Sequence, residues 1–205
     1  MKNLRIKYIY AGLLCLGLAA GARAEAPIGQ PAPDFTGKGS DGMTYHLADY
    51  RGKFVVLEWY NKGCPFIQKH YEGVHNMQNL QDKYVKKGVV WFEVASSAQG
   101  REGYMTAPEA EANRKKVGTN ATATLLDPDA DIARLYSAKT TPHMFVIDPK
   151  GNVIYEGAID DHNSTDQEDI PRSKNYVAAA LDEAMAGKPV STPQTRSYGC
   201  SVKYK

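Results

Sequence analysis

Residues 54–65, Phe54-Val55-Val56-Leu57-Glu58-Trp59-Tyr60-Asn61-Lys62-Gly63-Cys64-Pro65, decide how the rest of the chain is read. Phe54 to Tyr60 is a continuous apolar run broken only by Glu58, the pattern of a strand covered on both faces. Pro65 suits the first position of a helix, which the sequence carries toward Lys87 with a break expected near Gly73. Cys64 therefore stands where a buried strand turns into a helix. Unpaired backbone N–H groups and the positive end of the helix dipole favour a thiolate there, and Lys62 is close enough in sequence to add to them. A thiolate is the nucleophile in disulfide exchange and in attack on peroxide. A structural cysteine in an apolar core would be inert, but it would not need a strand-to-helix junction with proline behind it.

The elements on either side extend this unit. Val89 to Ala95 reads as a second buried strand. Thr106-Ala107-Pro108-Glu109 is a capping box opening a helix to about Lys116. Thr122 to Leu126 reads as a strand and Asp129 to Tyr136 as a short helix, with Asp127-Pro128-Asp129 as a capping turn. His143 to Asp148 and Asn152 to Glu156 form a hairpin about Pro149-Lys150-Gly151, and Ser173 to Ala186 is the last helix. An N-terminal hairpin is expected from Asp34-Phe35-Thr36 and Met43 to Leu47. This order predicts an α/β fold: a central mixed β-sheet flanked by helices on both faces. Glu156 to Asp169, with six acids and no base, reads as a solvated loop.

The chain has 205 residues, 25 Lys and Arg, 23 Asp and Glu, and 3 Cys. Lys2, Arg5 and Lys7 precede an uncharged, mostly apolar run from Tyr8 to Ala22, followed by Ala22-Arg23-Ala24. This is the pattern of a cleaved secretory signal over residues 1–24, which predicts a periplasmic or secreted protein. Its removal takes four basic residues and leaves 21 against 23 acids, which argues against nucleic acid as a partner. No remaining segment is apolar enough to hold the mature protein in a membrane. Cys15 goes with the leader, leaving Cys64 in a domain of residues 25–187 and Cys200 in a tail of residues 188–205 that reads as flexible and exposed.

The strand ending at Glu58, then Cys64-Pro65 and a helix, then Thr141-Pro142-His143-Met144-Phe145-Val146-Ile147-Asp148-Pro149-Lys150-Gly151, resembles the thioredoxin-like superfamily. Ala32-Pro33-Asp34-Phe35 and the inserted strand and helix over about 122–136 are similar to its redoxin branch, the alkyl hydroperoxide reductase/thiol-specific antioxidant type. The resemblance implies an oxidoreductase with Cys64 as the attacking cysteine. Thr141-Pro142 would be a cis-proline turn facing it, and with Pro65 would shape the groove for an extended substrate. Glu58 lies where thioredoxins carry a buried acid; burial would raise its pKa and suit it to proton transfer, unless it faces an edge or a lysine. No cofactor is implied, because sulfur carries the electrons. The implied partners are a disulfide-bearing protein or a small hydroperoxide, and a thiol protein that restores the reduced state.

The departures from the family are specific. The second cysteine of thioredoxins is replaced by Ile67, and the proline and hydroxyl residue of peroxiredoxins by Leu57 and Asn61. Some peroxiredoxins carry a resolving cysteine in their C-terminal segment, and Cys200 is expected to fill that role, pairing with Cys64. Two alternatives stand beside this reading. One is a copper-handling thioredoxin-like protein using Cys64 with His143 or His70, although Gln68 stands where such chaperones place their second cysteine. The other is a redox-silent binding module.

Overall fold

The computed structural model describes residues 26–204. The expected leader, residues 1–24, lies outside the described residues. Among those described, no helix is long and apolar enough to cross a membrane.

The apolar run at residues 55–59 forms strand β3 (Val55–Trp59), an interior strand of a seven-stranded sheet. It pairs in parallel with β4 (Val90–Ala95), which pairs in parallel with β5 (Ala123–Leu126). On its other side it runs antiparallel to β7 (Met144–Ile147), the inner strand of a hairpin with β8 (Val153–Gly157). The N-terminal hairpin, β1 (Thr36–Gly39) and β2 (Thr44–His46), joins antiparallel to the far edge of β5. The result is the mixed sheet that the order of elements predicts.

Side chains alternate between two cores. Val55, Leu57, Trp59, Phe92 and Phe145 pack on one face with α4 (Asp131–Leu135). Val56, Tyr60, Trp91 and Val146 pack on the other with α1 (Pro65–Tyr71), α2 (Asn76–Val85), α3 (Ala107–Val117) and α5 (Tyr176–Met185). Each such side chain removed from water contributes about 1.5–3 kcal/mol, so both faces of β3 and β4 favour this one arrangement. Glu58 and Glu93 fall on the helix-rich face by the same alternation.

The helical pattern after Cys64 divides at the expected place. Gly73 and His75 take left-handed backbone conformations, with φ of 67° and 50°, and these end α1 and set the start of α2. The capping box predicted at Thr106 and Glu109 opens α3.

Two expectations are corrected. The tail is not a free exposed segment. Thr195 and Pro193 hydrogen-bond the backbone of Glu156 at 3.0 Å, and Val202 donates to the Lys139 carbonyl at 3.0 Å. Cys200–Ser201 then form a short strand, β9, antiparallel to β6 (Thr140–Thr141). The acidic stretch at 156–169 is not wholly solvated either: Asp160 is 2% exposed, because a cation and a phenol reach it from two other elements.

Candidate active site

The turn after β3 is built by Asn61. Its side-chain oxygen accepts from the Gly63 N–H at 2.8 Å and its carbonyl from the Cys64 N–H at 3.0 Å. The residue that replaces a hydroxyl of the peroxiredoxin pattern therefore shapes the loop, buried to 1% exposure. Cys64 is the N-cap of α1 and Pro65 its first residue. Pro65 is exposed at the mouth of the site, and so is Lys62.

Cys64 is fully buried, and what covers it is the tail. The Cys64 and Cys200 sulfurs are 2.7 Å apart, both as free thiols. The Cys64 sulfur also lies 3.1 Å from the Thr141 carbonyl oxygen. The Thr141–Pro142 peptide bond is cis. Thr141 pairs with Cys200 in the β6–β9 ladder, so one residue faces both sulfurs. Gly199, at φ 131°, passes so close to the Thr141 carbonyl that a Cβ would overlap it, and this admits the tail to the turn.

The two thiols differ in acidity. Burial pushes Cys64 up. Hydrogen bonds from the Cys200 thiol, the Thr141 side chain and the backbone of Cys200 and Ile67 outweigh this, and the net direction is down. Burial, the hydrogen bond to Cys64 and the developing Cys64 charge push Cys200 up to about 12. Cys64 is thus the more acidic thiol of the pair, the one that ionises first. Hydrogen bonds, rather than Lys62, account for the shift.

Glu58 is fully buried, and its hydrogen-bond partners are Tyr71, at the far end of α1 from Cys64, with Trp91 and Gln81. In the parallel β3–β4 pair it stands directly opposite Glu93, which is 1% exposed. Trp91 Nε1 donates to Glu58 at 2.8 Å, and Thr119 and Thr124 donate to Glu93 at 2.5 Å. The Tyr71 hydroxyl lies 2.9 Å from an oxygen of each acid. Its one proton serves one of them, so the other contact is a hydrogen bond only if that carboxyl carries its own proton. Glu58 is that group: burial first, then the Glu93 charge, raises it to about 8.

His143 is packed between Trp59 and Phe145, and its Nδ1 accepts from the Lys139 N–H at 3.2 Å. Burial and the Lys139 charge lower it to about 3, so it is neutral. His70 lies at the other end of α1 from Cys64. Among the described residues, no group of three or more His, Cys, Asp or Glu is placed to hold a metal ion.

The comparisons agree with the fold. An uncharacterized conserved protein from Geobacillus kaustophilus superposes with a TM-score of 0.75 at 26% identity, over 88% of this chain and 93% of its own. The thiol-disulfide oxidoreductase ResA of Bacillus subtilis is 25% identical over 166 residues, 75% of this chain and 86% of its own. Peroxiredoxin Bcp of the same organism is 54% identical over a shorter segment of 41 residues, 18% of this chain and 26% of its own. Residues 28–156, more than half of the sequence, match the AhpC/TSA family, and with a sheet, helix and cis-proline arrangement of the thioredoxin-like type the chain belongs to that family.

Proposed function

We propose that this is an exported thiol–disulfide oxidoreductase in which Cys64 attacks and Cys200 resolves. The observation that carries the reading is the 2.7 Å approach of two sulfurs 136 residues apart. The Cys64 thiolate attacks a substrate disulfide, forming a mixed disulfide and releasing one substrate thiolate. Cys200 gives up its proton and attacks the Cys64 sulfur, forming the Cys64–Cys200 disulfide and releasing the second thiolate. A dithiol protein then reduces that disulfide by the reverse steps. Glu58, protonated when the site is at rest, is the group suited to supply or take the proton. Thr141, Pro142 and Pro65 line the groove a substrate segment would use once the tail has moved. The leader over residues 1–24 supports export to a compartment where such disulfides persist.

A second reading, hydroperoxide reduction, is favoured by the local likeness to the peroxiredoxin. There the Cys64 thiolate takes the terminal oxygen, releasing the alcohol. Cys200 then attacks the sulfenic acid, releasing water. The replacement of a hydroxyl residue by Asn61, whose side chain serves the turn, weighs against it.

Cys200→Ser tests both. With a model disulfide, the variant is expected to release one equivalent of thiol, hold a mixed disulfide on Cys64 and stop. With a hydroperoxide it would hold a sulfenic acid instead. Full turnover without Cys200 would contradict the assignment.

A further inference from the structure

The tail is clamped next to Cys200 by the same helix that begins at Cys64. Asp160, in the loop after β8, accepts a buried hydrogen bond from the Tyr198 hydroxyl and another from the His162 N–H at 3.0 Å. Its second oxygen lies 3.8 Å from Lys69 Nζ, and Lys69 is 1% exposed on α1. Lys69 is held in turn by the His162 carbonyl at 3.0 Å. The Tyr198 ring packs on Phe66, also on α1, with centroids 5.8 Å apart. Only Gly199 separates Tyr198 from Cys200.

A two-residue strand such as β9 is too short to hold itself in place. A charge-assisted hydrogen bond inside a buried ion pair is a much stronger fixed point. Because Phe66 and Lys69 share a helix with Cys64, the clamp ties Cys200 to the nucleophile's own frame. The clamp contributes no atom to the sulfur chemistry.

We propose that Tyr198 is a positioning residue for the resolving step: its phenol, held by Asp160, which Lys69 in turn holds, keeps Cys200 against Cys64 and so sets how readily the disulfide between them closes. This rests on the cysteine pairing proposed above. The expected consequence is specific. Losing the hydroxyl leaves the ring on Phe66 and the Val202 bond to Lys139 in place but loosens the segment just before Cys200, so Cys200 spends less time at Cys64. Cys64, fully buried under the docked tail, then becomes accessible to reagents.

Tyr198→Phe tests it, with two readouts on the full chain. The first is the equilibrium between dithiol and disulfide in a defined glutathione buffer; the second is the alkylation rate of Cys64 in the reduced protein. Disulfide formation is expected to weaken about tenfold and alkylation to speed up by a similar factor, the size of one hydrogen bond to a charged group. Asp160→Asn, which keeps an acceptor for the phenol but removes the charge, should move both readouts in the same direction. A disulfide that forms in the unsubstituted protein and is equally stable in Tyr198→Phe, with unchanged alkylation, would overturn the clamp alone. So would a variant that merely unfolds more easily with neither readout moved. Failure of the unsubstituted protein to form the disulfide at all would overturn the pairing and the clamp together.

Discussion

Helix α1 meets two buried acidic clusters with Lys69, His70 and Tyr71, and it meets them differently. On one side Tyr71 reaches Glu58 and Glu93, which face each other across β3 and β4. The cation beside that pair is Arg114, 3.9 Å from Glu93. On the other side Lys69 stands 3.8 Å from Asp160, with His70 at 3.9 Å. His70 is lowered to about 4 by burial, so Lys69 carries the positive charge. A carboxylate cannot be buried uncompensated. The Glu58–Glu93 pair, whose cation stands beside Glu93, meets that requirement with a proton on Glu58; Asp160 meets it with Lys69. The first is left able to titrate, which suits a proton donor; the second is fixed, which suits a clamp.

The contrast is broken most severely by Lys69→Met. It leaves Asp160 buried with a phenol and an N–H but no cation, and it should cost about 3–5 kcal/mol in a urea unfolding measurement on the reduced protein. The proton-held cluster should instead show itself in pH dependence. Glu58 titrates near 4.5 when unfolded and near 8 when folded. The folded state binds that proton more tightly, so stability is fully present below pH 4.5 and is lost as pH rises toward 8. The loss should be about 2–3 kcal/mol between pH 5 and 7.5. Glu58→Gln should flatten that slope while Lys69→Met leaves it in place. Denaturation at several pH values checks both. A smaller effect is expected from Tyr71→Phe, which removes the hydroxyl shared by the two acids. It should cost about 1–2 kcal/mol, the range for leaving a buried polar partner unmet.

The same contrast shows what could be read from the sequence. The apolar run before Cys64, the proline after it and the break at Gly73 are local signals, and β3, α1 and α2 follow them. The facing cis-proline turn came through resemblance, since nothing in Thr141-Pro142 alone requires it. Glu58 is legible as an acid in an apolar strand, but its surroundings come from elements distant in sequence. Glu93, in Trp91-Phe92-Glu93-Val94, carries the same signal, and strand register places the two opposite each other. Asp160 was hidden among six acids that read as solvent-exposed, because burial there comes from Lys69, distant in sequence. The docked tail was missed for a similar reason: two residues of strand have no period to detect. The available clue was Gly199 before Cys200, a glycine where the backbone must approach another chain segment closely.

The pairing of the two sulfurs is tested most directly by a thiol map of the protein after mild oxidation, by peptide mass analysis without reduction. The expected result is loss of both free thiols, a single linked peptide joining Cys64 to Cys200, and return of both thiols with a dithiol reductant. Cys200 found free while Cys64 is oxidised to sulfinic acid, or both thiols found untouched, would contradict it.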